Sequence, residues 1–461
     1  MDKTSIIAQL NRYDIDRLRG YKELLDFYHG RQWEGRERWG EKRLTFNYAK
    51  VFIDKITSYL MSGINFVVDA VSDSDEAEAR RAEAALRQVY EENNLEQLDL
   101  ETEIDCAILG DAGYKVIWDA EVKKVRVTAP DVQGIYVWWL GDDTSRIWKI
   151  AAKYSLTAEE SEFLYQVKPK SKTATIVELW TDGEFELYLD DTLLERKPNP
   201  YGFIPFIIYP NLREPKKFWG ISDLSQIMES QRELNRAMSQ LSRILELSGN
   251  PIAVLENVEE AEDIAVKPGA VWTIPEDAKA YLLDLLQGGG VRLHIDYINL
   301  LYRTMHDIAE SPRAAFGGTE RDLSGVALEI ELNPLLQKVR RKRLIRTAVY
   351  NRRNRMILKL LEKYQGESFG ENRLRVIWSP VLPQDLARLI SNEQTMVQSG
   401  IHSRRGAMEE VGIQEPEKEF KRWLEERETI LKMNKQLNAR STRAEGGRAL
   451  VADQGVEESP A

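Results

Sequence analysis

The chain has 461 residues, 43% hydrophobic and 30% charged, with a formal net charge of −11 at pH 7. This length suits roughly two to four domains, and the acidity excludes a polyanion binder acting through whole-molecule charge, so nucleic acid could be met only by a local basic segment. The lone cysteine, Cys106, excludes an internal disulfide and a cysteine-rich metal site, and its apolar neighbours Ile104, Ala107, Ile108 and Leu109 make it a buried small hydrophobe suited to a reducing cytosol.

From the N-terminus, which lacks an apolar core of signal-peptide length, Ile6, Leu10, Tyr13, Tyr21, Leu24 and Tyr28 recur at helical spacing and predict a helix over residues 4–30. Asn47 is the expected N-cap of a second helix, with Ile56, Tyr59 and Leu60 on its apolar side and Gly63 closing it. Residues 64–71 read as a strand. Between Asp69 and Asp105 stand thirteen acidic residues against three arginines. Ala82, Leu86, Val89, Leu95 and Leu98 sort them into two amphipathic helices parted by Asn93-Asn94, with the charges on a solvated face.

From Gly113 to Pro210 the period changes to two. Segments 114–118, 125–128, 135–139, 147–154, 175–180 and 184–188 are rich in β-branched and aromatic residues between Asp/Gly turns. This predicts an antiparallel β-rich module whose tryptophans pack the sheet. Phe203–Tyr209 is the longest apolar run; it reads as a strand and falls far short of the roughly 18 residues of a membrane span.

Helices then dominate. Leu224, Met238 and Leu245 share one heptad position and Ile227, Leu234 and Leu241 another, so residues 221–247 predict a helix that packs lengthwise on a neighbour, with Gln231 the one polar exception. A second amphipathic helix is expected at 291–311. The two bracket an insert, 249–289, that carries Glu259, Glu260 and Trp272. The pattern fits an ordinary helical hairpin within a monomer as well as a unit at the end of a packed helix pair. Gly317-Gly318 follows, flanked by Arg313 and Arg321, and glycine there would let the backbone change conformation.

From Val326 to Gln365 eleven Lys/Arg face three acids, with a kink expected at Pro334. Such a helix could contact phosphate through residues 338–355. It could equally pair with the acidic helices of a neighbouring subunit through Arg340, Arg341, Arg343, Arg346 and Arg352, a reading the overall acidity favours. Residues 373–378 predict a short strand, residues 380–437 further helices, and residues 438–461 a disordered tail.

No enzyme site emerges. Gly35–Lys42 lacks the Gly-Lys-Ser/Thr of a phosphate loop. The four histidines stand apart, and the carboxylate pairs have no convergent partner. No cofactor or metal is called for.

The order of parts resembles phage portal proteins of the SPP1-like type. The elements that carry the likeness are Tyr28-x-Gly-x-Gln32, Leu44-x-x-Asn47, Tyr59-Leu-Met-Ser-Gly63, Gly220-Ile-Ser-Asp-Leu224 opening a helix with Asn235, Asn250-Pro251, Ser324-Gly-Val-Ala-Leu328 and Ile390 through Met396 and Gly400 to Ser403. The resemblance implies an α+β, mainly helical subunit. Residues 1–220 would form a wing with a β-rich module. Residues 221–248 and 291–312 would form stem helices, and 249–290 a small clip. Residues 313–325 would form the tunnel loop, 326–379 the basic helix and return strand of the wing, and 380–437 a short crown. It further implies a non-enzymatic homo-oligomer, a twelve-subunit ring at one capsid vertex, assembled in the host cytoplasm, which passes double-stranded DNA in packaging and ejection. The partners it implies are the terminase large subunit, a head–tail adaptor and the major capsid and scaffolding proteins, with no membrane. Arg313, Gly317, Gly318 and Arg321 would lie nearest the DNA, and Glu259, Glu260 and Trp272 would face the docking partners. The competing reading is a nucleic-acid-binding regulatory or assembly protein that uses residues 338–355.

Overall fold

A computed structural model describes residues 5–37, 41–72, 75–169, 171–249, 252–257, 277–283, 290–317, 325–382, 386–413, 416 and 419–433. The predicted first helix is two: α1 (Ile6–Tyr13) and α2 (Ile15–Tyr28), broken where Asp14 leaves helical geometry. Ser5 caps α1 and also donates to Asp191 at 2.5 Å, fastening the helix to the β-rich module. The Asn47 side chain caps α3 (Tyr48–Leu60) by accepting from Lys50 N. Next come β1 (Ile64–Ala70) and the acidic helices α4 (Glu76–Glu92) and α5 (Leu95–Leu109).

The β-rich module is antiparallel throughout. Strands β2 (Asp111–Asp119), β3 (Lys124–Thr128) and β9 (Phe206–Pro210) make a three-stranded sheet in the order β3-β2-β9. Strands β4 (Ile135–Leu140), β5 (Asp143–Thr157), β6 (Thr173–Trp180), β7 (Glu184–Leu189) and β8 (Thr192–Pro198) form a five-stranded meander. The alternation in the sequence maps onto burial: Ile135 and Val137 of β4 pack with Ile150, Ile176 and Phe206. Trp180 stacks on Tyr201, so this tryptophan is sheet packing. Helix α6 (Ala158–Tyr165), between β5 and β6, and the exposed edge strand β8 were not legible from period.

The helical part is α7 (Met228–Gly249), β10 (Ile252–Glu256), β11 (Lys279–Leu283) and α8 (Gly290–Ile308), then the 41-residue α9 (Gly325–Gln365), which runs through Pro334. β10 and β11 pair antiparallel, so the insert begins and ends as one two-stranded ladder. Strand β12 (Asn372–Trp378) returns to pair with β1 from Ile64↔Trp378 to Ala70↔Asn372. Residues 1–381 form one compact unit and 382–461 another. In the second, α10 (Leu386–Gln398) and α11 (Arg404–Glu410) are joined by a turn in which His402 Nδ1 lies 2.6 Å from Glu393.

Besides the core of the β-rich module, two cores join the helices of the first unit. One lies between α4, α5, α9 and strands β2, β3 and β9; the other joins α2, α3 and the end of α5 to α7 and α8. Charge runs through the first of these. Arg346 and Glu103 are both fully buried and paired. Arg346 also donates to Asn211 O at 2.6 Å, Asn211 Oδ1 at 3.0 Å and Pro210 O at 3.2 Å, and stands over the Tyr209 ring. Burial alone would push this guanidinium down, but the Glu103 carboxylate reverses the effect and holds it well above its ordinary value. Arg353 pairs with buried Asp99 inside a cage of Tyr90, Tyr114 and Tyr350. The acidic run of α5 is therefore not simply a solvated face. Its acids alternate between solvent and these two arginines, and both partners belong to the same chain.

Removing one partner strands the other charge in a dry site, whereas removing both does not. Arg346→Met alone is expected to cost about 3–5 kcal/mol, and Arg346→Met with Glu103→Leu to recover most of it. Urea unfolding of the two variants checks this; equal losses would contradict it.

Candidate functional site: where the hairpin meets the long helix

Residues 221–227 keep the heptad pattern but are not helical, because their polar groups are committed elsewhere. Ser222 Oγ donates to Ile108 O at 2.5 Å, Asp223 N donates to Ala107 O at 3.0 Å, and Gly220 N donates to Asp111 at 2.7 Å. Gly110 sits at φ +91°, and a Cβ there would come within 2.8 Å of Ser222 N, so the approach demands glycine. Asp111 also accepts from Tyr21 Oη at 2.6 Å, yet burial dominates and raises its carboxyl to about 6.

Asp223 receives two cations from α9. Its carboxylate pairs with Lys342 and, at 3.0 Å, with Lys338. Burial pushes the Asp223 carboxyl up, but the two ammonium groups outweigh it and hold it well below the usual carboxylate range. Lys338 also donates to Ala309 O at 3.0 Å, immediately after α8 ends. One ammonium group thus holds both ends of the helical hairpin, the segment entering α7 and the exit of α8. Next to it Glu310, at φ +52°, receives Arg341 through two bonds of 2.6 and 2.7 Å.

At one residue per 100°, Lys338, Lys342, Arg346 and Arg353 fall within a sector of about 80° on α9. The buried apolar residues Leu335, Val339, Tyr350 and Ile357 flank them.

A second joint lies along α7. Gln231 is fully buried; its Nε2 donates to Phe46 O at 2.7 Å and its Oε1 accepts from Ala49 N at 3.2 Å. Asn235 accepts from Phe46 N at 2.9 Å and donates to Gln32 at 2.7 Å, and Gln32 in turn donates to Asn47 at 2.8 Å. Ser239 accepts from Leu44 N at 3.0 Å. The polar break in the heptad is the clamp that holds residues 44–49 against α7. At the third joint, Arg343 donates to Leu60 O, Ser62 Oγ and Ser379 O, gathering the end of α3 and the chain after β12; its burial lowers its guanidinium to about 10.

Motif pieces far apart in sequence therefore converge: Gln32, Asn47 and Asn235 in one network, Gly220 to Leu224 on the next, and Tyr59 to Gly63 on the third. Residues 10–433 match the family model described as phage portal protein, SPP1 Gp6-like. The chain belongs to that family. No curated protein matches it.

The expected portal residues are distributed as follows. Arg313 opens a short 3-10 turn, Arg313–Phe316, and stands over the Tyr302 ring, while Gly317 ends the turn at φ +80°. Gly318, Arg321, Glu259, Glu260 and Trp272 lie outside the described residues. Of the arginines expected between subunits, Arg346 is corrected: it is fully buried and bonded within its own chain. Arg341 pairs with Glu310, Arg343 is half-buried on backbone carbonyls, and Arg340 and Arg352 are exposed. Lys338, Lys342 and Asp223 were not singled out as a site; the signal available was cations interleaved with apolar residues on one helical face. Among the described residues no group of three or more His, Cys, Asp or Glu could hold a metal ion.

His306 sits at the exit of α8, wedged between Phe52, Tyr302 and Phe316. Its Nδ1 lies 2.6 Å from Ser311 O and so carries the proton, while buried Nε2 has no partner among the described residues. Burial, aided by Arg313 and opposed by the Ser311 bond and Asp307, lowers its pKa below 6.5. The folded state thus binds fewer protons than the unfolded one: His306 costs nothing above about pH 6.5 and destabilises as pH falls through it. His306→Phe is expected to flatten stability between pH 7 and 5.5 relative to wild type; parallel profiles by thermal unfolding would contradict this.

Proposed function

We propose that this portal-family chain assembles as a closed homo-oligomeric ring, twelve-fold as its family resemblance implies, at one vertex of the capsid. Double-stranded DNA passes through its axis on packaging and ejection. In this reading residues 1–220, with α9 and β12, are the wing; α7 and α8 are the stem; the β10–β11 insert is the clip; the turn from Arg313 enters the tunnel loop; and α10 onward is the crown. The clip receives the terminase large subunit and later the head–tail adaptor, and the outer parts meet the major capsid and scaffolding proteins during assembly in the host cytoplasm. The ring is a conduit and carries no catalytic step of its own.

Family membership carries this reading, and α8 supports it. Ile298, Leu301 and Met305 pack inward against α7 and α3. Leu293, Tyr297 and Leu300 form a second apolar stripe, 72%, 40% and 60% exposed, within a sector of about 60°. A helix apolar on two faces with one face covered calls for another neighbour. A ring supplies that neighbour at every subunit, through a heterologous contact that closes on itself. The reading that residues 338–355 bind nucleic acid loses four of the nine cations of that segment, since Lys338, Lys342, Arg346 and Arg353 are buried in ion pairs.

Electron-microscope class averages of the purified protein should show closed rings. Leu293→Ser with Leu300→Ser should leave folded single subunits. Rings from the double variant at wild-type yield would contradict the role given to this stripe, and a wild-type chain that is monomeric at micromolar concentration would contradict the ring.

A further inference from the structure

α9 and α5 carry charge on two faces each. Their inner faces meet one another through Arg346–Glu103 and Arg353–Asp99. On α9, Arg340, Leu344, Ala348, Arg355 and Lys359 are exposed, and they fall in a sector of about 100° that points roughly 155° away from the buried cations. Among the described residues no hydrogen bond or ion pair reaches Arg340, Arg355 or Lys359, and Leu344 stands 70% exposed between them. This face runs for about 28 Å along the helix.

On α5, Glu101 and Asp105 lie about 160° from Asp99 and Glu103 on the helical wheel. Both are exposed, and no ion pair reaches either among the described residues. Partial burial raises the Asp105 carboxyl, and the nearby charges of Asp131 and Glu101 raise it further. Four acids of α4 contrast with these, since Arg80, Arg81 and Arg87 pair with Glu76, Glu78 and Glu83 on the same helix and Lys124 pairs with Glu92. Among the described residues Glu101 and Asp105 thus lie without a cation on the far side of α5, and Arg340, Arg355 and Lys359 lie without an acid on the far side of α9.

We propose that the outer face of α9 in one copy, centred on Arg340, Leu344 and Arg355, docks on the outer face of α5 in the next copy, centred on Glu101 and Asp105. The helix pair is basic on one side and acidic on the other, with its inner charges already satisfied. A second copy of the same pair therefore continues the alternation, α9 to α5 within a subunit and α5 to α9 between subunits. The two patches differ, so the contact is heterologous and repeats around a closed ring. Exposed pairs of this kind contribute little each and specify orientation more than strength. The apolar Leu344 at the centre supplies a desolvated contact between them.

This inference rests on the ring reading. The test is Arg340→Glu with Arg355→Glu in the full chain, and the same variant carrying Glu101→Arg and Asp105→Arg. Ring content is read by mass photometry and subunit folding by circular dichroism melting. The first variant should melt like a wild-type subunit and lose most rings at 0.15 M salt; the four-fold variant should recover them. Rings in the first variant at wild-type level, or no recovery in the second, would overturn this contact and leave the ring reading standing. A wild-type chain that never forms rings would overturn both.

Discussion

The structure depends on four cations that a single helix carries into a dry interior. Lys338, Lys342, Arg346 and Arg353 share one face of α9 and meet Asp223, Glu103 and Asp99. Burying such charges is costly, and apolar residues of similar volume would often serve stability as well. What the pairs add is location. An apolar contact tolerates sliding by a turn, whereas each guanidinium or ammonium here finds its carboxylate at one register. Helix α9 is thereby fixed against α5, β9 and the entry to α7 at once.

Asp223 and Lys338 are where this register reaches the hairpin. Because Lys338 also holds Ala309 O, the start of one hairpin helix and the end of the other share an anchor. The same few residues adjoin His306 and the turn that begins at Arg313. A displacement of the hairpin is therefore transmitted to α9 through charge and to the following turn through aromatic packing. For a portal subunit, such a joint links the part proposed to dock packaging partners to the part proposed to line the channel.

Much of the fold was legible because period reports directly on burial. The change to alternation at Gly113, the pairing strand before Trp378 and the extent of α9 all follow from it. The start of α7 did not, because Leu224 and Ile227 preserve the heptad while Ser222 and Asp223 spend their hydrogen bonds on α5. Gln231 looked like a flaw in an apolar stripe and is a clamp on residues 44–49. The arginines of α9 gave their sign but not their address. Composition says that acids of α5 and bases of α9 complement one another, and only packing says that Arg346 finds Glu103 within its own subunit while Arg340 faces outward.

The most direct test of the central claim is amide hydrogen exchange on the full chain with Asp223→Asn. If one carboxylate anchors both ends of the hairpin through Lys338, protection should fall together in the segment entering α7 and in the last turn of α8, with α9 around residues 338–346 following. Loss confined to residues 220–228, with the end of α8 as protected as in wild type, would contradict the account.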